Sequence, residues 1–436
     1  MNFVKKFLAV ALTVPALSFS VSALTVDGTV IEANTKKPIA DAFVTLGKSA
    51  VRTDKNGAFR IEGDGTELRA RAYGHTRVLQ TLDSSATAAK APVTLQLEPF
   101  APKGIYLSSY GISSLKLRNS ALDLVRDTEI NTFVIDIKTD TAMITHKSSI
   151  PLAQEIGAQK LILKKDLPEL IAKLHEQGIY TIGRIVVFKD NLLAQAHPEL
   201  AIKRSNGELF RDNEGLAWVD AMQPKVWEYN IALAEETAQM GFDEIQFDYV
   251  RFPDKRGLVF SKPNTEENRV AAISGLLSAA HKKLEPYNVF MSADIFGYVS
   301  WNLNDTEIGQ RIVDVMQHVD YASPMLYPSG FQFGIPGYRD PVANSHEIVY
   351  RSLERARVRA NVDAVRFRPW LQAFKDYAFD RRHFGADELK QQISAADRFG
   401  SNGWLLWNPR NVYVADNIKA ATTTMTAKAE KSSAMR

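Results

Sequence analysis

The chain has no cysteine among its 436 residues. Disulfides, thiolate catalysis, cysteine-held zinc and iron–sulfur clusters are thereby excluded together. Net charge is also small: 53 basic against 50 acidic residues leave +3, with no concentrated basic run. Nucleic acid is therefore not expected as a partner. The eight histidines are scattered and form neither His-x-His nor His-Glu-x-x-His, so no metal site is expected. A Gly-x-Ser-x-Gly nucleophile turn is missing, as is a glycine-rich phosphate turn, and no cofactor is called for. What is present is ordinary globular material: 45% hydrophobic and 10% aromatic residues, with 24 Gly and 18 Pro near average usage. The chemistry must then come from carboxylates, histidines or hydroxyls.

Residues 1–23 carry Lys5 and Lys6, an apolar stretch from Phe7 to Leu17, and small residues ending in Val21-Ser22-Ala23. This order reads as a signal peptide cut after Ala23. The apolar run is too short to span a bilayer comfortably. No later segment has a spanning apolar run, so the mature chain is expected to lack a transmembrane segment and to be periplasmic or extracellular. At the other end, residues 421–436 are small and polar and read as a disordered tail. Nothing in the sequence speaks to oligomeric state.

From Leu24 to Glu98 short runs alternate apolar and polar residues: Thr25 to Glu32, Ala42 to Gly47, Ser49 to Thr53, Ala58 to Glu62, Glu67 to Ala72 and Val93 to Glu98. Period-two runs broken by turns such as Asp54-Lys55-Asn56-Gly57 predict a small antiparallel β-sandwich. The stretch Lys37-Pro38-Ile39-Ala40-Asp41-Ala42-Phe43-Val44 and the turn leading into Ala58-Phe59 resemble the carboxypeptidase regulatory-like domain. That resemblance implies a transthyretin-like sandwich over residues 24–98, without catalysis of its own.

Residues 103–420 alternate strand-like and helix-like segments. The strands are expected at Gly104 to Leu107, Thr132 to Lys138, Tyr180 to Phe188, Glu244 to Phe252, Val289 to Phe296, Tyr321 to Leu326, Phe367 to Phe374 and Gly403 to Trp407. Helical periodicity fills the gaps, as in Asp166 to Gln177, stopped by Gly178. Eight strand–helix units predict an α/β chain with a (β/α)8 TIM barrel, a fold of about 250 residues plus insertions. An open doubly wound sheet is the alternative.

A barrel enzyme builds its site at the C-terminal ends of the strands. On strand two Asp136 and Lys138 share a face by the two-residue period, either as a site-lining pair or as a structural ion pair. On strand four Glu244, Gln246 and Asp248 are expected to face inward, with Ile245, Phe247 and Tyr249 toward the helices. Asp248 near the exit is expected to be held by Arg251 as a nucleophile or charge stabiliser. On strand five Asp294 lies among Met291, Ala293, Ile295 and Phe296, a setting that raises a carboxyl pKa and suits a general acid. Two carboxylates in contrasting settings at adjacent exits are what glycosidic cleavage requires. Sugar-binding candidates are Tyr327, Trp370, Gln372 and Trp407. The insertion from Lys189 to Gln223 adds Trp218 and Asp220, and the stretch from Phe331 to Arg339 is a second possible wall.

The run Phe242-Asp243-Glu244-Ile245-Gln246-Phe247-Asp248-Tyr249-Val250-Arg251-Phe252-Pro253 carries a wider resemblance. With Ile135-Asp136-Ile137-Lys138, Ser292-Ala293-Asp294-Ile295-Phe296-Gly297 and Ser323-Pro324-Met325-Leu326-Tyr327-Pro328, it resembles a family of bacterial glycosyl hydrolase TIM barrels. The resemblance implies a carbohydrate substrate, a strand-four nucleophile at Asp248 and a strand-five acid at Asp294. Many such barrels carry the longer Glu where this chain has Asp294, and Asp136 is the substitute acid. A non-catalytic polysaccharide-binding or envelope-scaffold role on the same barrel is the competing reading.

Overall fold

The computed structural model describes residues 24–83 and 92–421. The expected leader and residues 422–436 of the expected tail lie outside the described residues. Two bodies follow one another along the chain, a pair of small sheets and a closed barrel.

The N-terminal body has strands β1 (Leu24–Glu32), β2 (Phe43–Leu46), β3 (Ser49–Arg52), β4 (Ala58–Gly63), β5 (Glu67–Arg71), β6 (Val78–Thr81) and β7 (Val93–Leu97). They form one sheet in the order β4-β1-β7 and another in the order β3-β2-β5-β6. Alternate residues such as Val26, Val30, Val44, Phe59, Ile61 and Leu95 meet between the sheets in a shared core. The pairing is antiparallel as expected except for β1 with β7, which run parallel. Strand β6 had no sequence signal because it is a largely exposed edge strand, without inward apolar alternation.

The barrel uses β8 (Lys103–Leu107), β9 (Thr132–Lys138), β10 (Tyr180–Val186), β12 (Glu244–Asp248), β14 (Phe290–Phe296), β15 (Tyr321–Met325), β16 (Trp370–Gln372) and β17 (Trp404–Trp407). All pair in parallel and close in the order β10-β12-β14-β15-β16-β17-β8-β9. Parallel strands covered on both faces read as near-continuous apolar runs, which is why each was visible in the sequence. Two short strands outside the barrel, β11 (Lys203–Arg204) and β13 (Leu258–Val259), pair antiparallel and tie the loop after β10 to the loop after β12. Helices such as Leu167–Glu176 and Pro224–Gln239 pack Leu174, Leu233 and Ala234 against the outer faces of the strands. No helix among the described residues is long and apolar enough to cross a membrane.

Inside the barrel, β12 keeps its expected alternation. Ile245 and Phe247 join the strand–helix core, while Glu244 and Gln246 point inward. There the Arg368 guanidinium donates to Glu244 Oε2 at 2.6 Å, Tyr180 Oη donates to the same oxygen at 3.0 Å, and Arg368 lies over the Tyr321 ring at 4.1 Å. A charge pair buried this deeply is tolerable only when further hydrogen bonds complete it, and Arg368 supplies two more to Asn402.

One irregularity in the barrel changes which residues face the interior. Arg184 on β10 stands opposite Asp136 on β9, but the next residue, Ile185, stands opposite Lys138. Ile137 is therefore an extra residue, a β-bulge, and from that point the side chains of β9 exchange faces.

The sheets pack on the barrel end where the strands begin. Arg71 pairs with Asp320, just before β15, at 2.6 Å with both side chains buried. Arg77 donates to Asp243, just before β12, at 3.0 Å, and Asn288, two residues before β14, donates to Thr45 Oγ1 at 3.2 Å. Tyr73 and Phe100 reach the interior rings Tyr321 and Tyr180, with centroids 6.0 and 5.3 Å apart. The opposite end of the barrel is left open. Because Asp243 keeps His175 and Thr181 as partners, Arg77→Met is expected to cost only about 1 kcal/mol of stability. Denaturant unfolding measures this. Any activity of the open end should be unaffected, and an activity loss without unfolding would contradict the separation of the two ends.

Candidate active site

The open end holds a pocket of about 260 Å³. Its centre is Arg184, on the inward face of β10 and 3% exposed. The guanidinium spans two strands: Nη1 donates to Asp136 Oδ1 at 2.6 Å, and Nε donates to Asp248 Oδ2 at 3.0 Å, with Nη2 on the same oxygen. Burial works against its charge, but Asp248 and Asp136 outweigh burial and hold the Arg184 pKa well above its usual value.

Asp248 is the last residue of β12 and 6% exposed. Its second oxygen, Oδ1, accepts the backbone N–H of Tyr249 at 2.6 Å. That contact depends on Tyr249 turning into the left-handed region at φ +48°, which is uncommon for a bulky residue and is held here by its surroundings. Oδ1, with one donor, keeps a lone pair free for other work, while Oδ2 is taken up by two N–H groups of Arg184.

Asp294, on the neighbouring strand β14, is 1% exposed and accepts the indole N–H of Trp370 on Oδ1 at 2.7 Å. Burial first, and the charge of Asp248 second, push its carboxyl well above the ordinary range; Arg184 and the Trp370 bond offset this only in part. The two carboxyl groups thus differ in kind: one is ion-paired, the other is driven toward its protonated form.

Asp136 is enclosed further. Tyr106 Oη donates to its Oδ2 at 2.6 Å, and burial raises its carboxyl against the pull of Arg184 and that bond. The same enclosure, with the Asp136 charge, raises the Tyr106 hydroxyl. Aromatic rings complete the walls. Trp407 stacks on Tyr106 with centroids 3.9 Å apart and meets Trp370 edge-on at 5.3 Å. Tyr327 and Phe296 close the remaining sides, and Asp140 stands at the rim.

Of the residues singled out in the sequence, Asp248, Asp294, Arg251, Tyr327, Trp370 and Trp407 line this pocket, and Asp136 lies directly beneath through Arg184. Four do not reach it. Lys138, turned outward by the bulge, donates to Asp190 at 2.8 Å and to Asn230 of helix Pro224–Gln239 at 2.6 Å. Asp220 accepts the backbone N–H groups of Met222 and Ser261 and fastens two loops together. Gln372 is buried behind the wall, bonded to Ser329. Trp218 is 2% exposed, donates to Asp212 at 3.0 Å and packs edge-on against Tyr249; it pins its loop and borders a second chamber.

Two further expectations are corrected. Arg251 is not the partner of Asp248; Arg184 is. Tyr249 does not face the helices, because its positive φ turns it to the pocket. The stretch from Phe331 to Arg339 contributes no wall. Among the described residues, no group of three or more histidines and carboxylates is arranged to hold a metal ion.

Residues 104–413, the whole barrel, match the family described as "Putative glycosyl hydrolase domain". The chain belongs to that family. Its barrel is accordingly a glycosyl hydrolase domain, and the pocket just described occupies the end where TIM-barrel enzymes carry their sites. Two solved structures agree on the fold. The glycoside hydrolase domain of PgaB (BpsB) from Bordetella bronchiseptica superposes with a TM-score of 0.52 at 12% identity, over 72% of this chain and 95% of that one. A β-galactosidase from the psychrophilic Marinomonas ef1 gives 0.52 at 11% identity, over 76% and 60%. A hypothetical protein from Ruminiclostridium thermocellum is 38% identical over 44% of this chain and 96% of its own, with a TM-score of 0.39. No curated protein matches the sequence.

Proposed function

We propose that this glycosyl hydrolase domain cleaves an oligo- or polysaccharide outside the cytoplasm, with Asp294 as general acid and Asp248 as its anionic partner. The observation that carries the reading is the contrast between the two groups. Asp248 is ion-paired to Arg184 and Asp294 is pushed toward its neutral form, on adjacent strands facing one aromatic-walled pocket. In the reaction the Asp294 proton passes to the glycosidic oxygen as its bond to the anomeric carbon breaks. Asp248 then attacks that carbon, and water deprotonated by Asp294 breaks the resulting ester bond and frees the sugar; or Asp248 takes a proton from the water that attacks directly. Arg184 positions Asp248, and the Trp370 N–H positions Asp294. Stacked rings such as Trp407 on Tyr106 offer apolar faces to a sugar. Export is supported by the order of residues 1–23, and the N-terminal sheets are assigned to a carboxypeptidase regulatory-like module by the turns and strands quoted above.

The test is incubation with bacterial surface and plant glycans, followed by assay of new reducing ends. Wild-type protein should release sugar, and Asp248→Asn and Asp294→Asn should not. Release that survives both changes would remove the aspartate pair from the mechanism. Binding without release by the wild type would make the pocket a recognition site only.

A further inference from the structure

Beside the first pocket lies a second chamber of about 270 Å³, bordered by Lys189, Phe210, Asp212, Glu214 and Trp218. Tyr249 and Arg251 belong to the walls of both, so the two spaces adjoin across these side chains and are taken together here as one cleft. The cations of this cleft are not equivalent. Arg184 is engaged by Asp136 and Asp248, and Lys189 by Asp212 at 3.1 Å and Glu214 at 2.7 Å. Two cations ion-pair with no carboxylate among the described residues: Lys255, which is exposed, and Arg251, at the junction, which is half-buried. Its guanidinium lies over the rings of Trp218 at 5.1 Å and Tyr249 at 5.3 Å, and Nη1 donates to the Phe252 carbonyl at 3.1 Å.

The two ring centroids are 5.6 Å apart, so the rings meet the guanidinium at adjoining positions and not on opposite faces, and among the described residues most of its five N–H donors have no protein acceptor. Burial already pulls its pKa down, an effect that the charges of Asp248 and Asp254 offset only in part. A glycan filling the cleft would strip the remaining water from those donors. A neutral sugar compensates this poorly, whereas a planar carboxylate meets the guanidinium fork with two parallel charge-assisted bonds. We propose that Arg251 is the anion-recognising subsite of the cleft and that the glycan it accepts carries carboxylated sugars of the uronic acid type. The inference rests on the glycosidase reading only for what happens after binding.

The test therefore measures binding. Full-length protein carrying Asp294→Asn, so that nothing is cleaved, is titrated calorimetrically with sodium glucuronate and sodium galacturonate, each against its neutral counterpart, glucose or galactose. At least one uronate should bind about tenfold or more tightly than its neutral sugar, the worth of one charge-assisted pair of hydrogen bonds. Arg251→Met should abolish that preference, and Arg251→Lys, which keeps the charge without the fork, should retain part of it. Thermal unfolding confirms that each variant is folded. Equal binding of acid and neutral sugars, no uronate binding, or a preference that survives Arg251→Met would each overturn the proposal. Uronate binding with no glycan cleavage by the wild type would instead leave the subsite standing and remove the glycosidase reading.

Discussion

Replacing Asp294 by asparagine is expected to lower kcat/KM by about 10²- to 10⁴-fold, the usual contribution of a positioned proton donor. The pH dependence should identify the cause. In the wild type, activity needs Asp294 protonated, so it falls as pH rises through the carboxyl's raised pKa, above the ordinary carboxylate range. In Asp294→Asn that alkaline limb should vanish from the residual rate. The stability contribution of Asp294 should fall over the same rise in pH. A carboxyl whose folded pKa is raised binds its proton more tightly in the fold, so its contribution is fully present at acid pH and is lost as pH rises through the folded value. Asparagine is neutral at every pH and its carbonyl can still accept from Trp370. The variant should therefore be at least as stable as wild type under alkaline conditions, as measured by denaturant unfolding across pH. A variant that keeps both its rate and its alkaline limb would pass the acid role to Asp136, the other buried carboxyl with a raised pKa.

Removing the guanidinium of Arg184 should have the largest effect on the fold. Arg184→Met leaves Asp136 and Asp248, 2% and 6% exposed, without their shared counter-ion, and breaking such a buried pair costs about 3–5 kcal/mol. Arg184→Lys keeps the charge but offers one nitrogen to two acceptors on different strands, so an intermediate loss is expected. Adding Asp136→Asn to Arg184→Met should recover part of the deficit, because the two sites share an interaction and their effects do not add. Chemical denaturation of the set measures each value. If Arg184→Met cost less than about 1 kcal/mol, both aspartates would have to be neutral in the fold, contrary to the ion pairs described.

The barrel was legible because every one of its strands is covered on both faces and spells an apolar run, with Pro and Gly marking the helices between. The inward direction of Glu244 and Gln246 followed from simple alternation. The site was legible only in part, for reasons that can be located. Asp248 was matched with Arg251 because the two are close in sequence, whereas the partner chosen by the fold, Arg184, lies 64 residues away across a strand pair. Arg184 did leave a signal: it is the one charged residue in the run Tyr180–Val186, the same oddity that drew attention to Asp136. Lys138 was misplaced because one inserted residue exchanges the two faces of a strand, and no periodicity reveals a bulge in advance. Asp220 and Gln372 stood beside the aromatics in sequence but were taken up by backbone and loop contacts. Tyr249 was assigned to the wrong side because alternation ends with the strand, one residue earlier.

The seating of Tyr73 and Phe100 against Tyr321 and Tyr180 has a consequence for traffic through the molecule. These rings, with the Arg71–Asp320 pair, stopper the barrel at the end where its strands begin. Among the described residues the pocket therefore opens at the end where the strands finish, away from the sheets. In the proposed reaction substrate and product therefore share that mouth, and no chain is threaded along an axis already filled by Tyr180, Glu244 and Arg368.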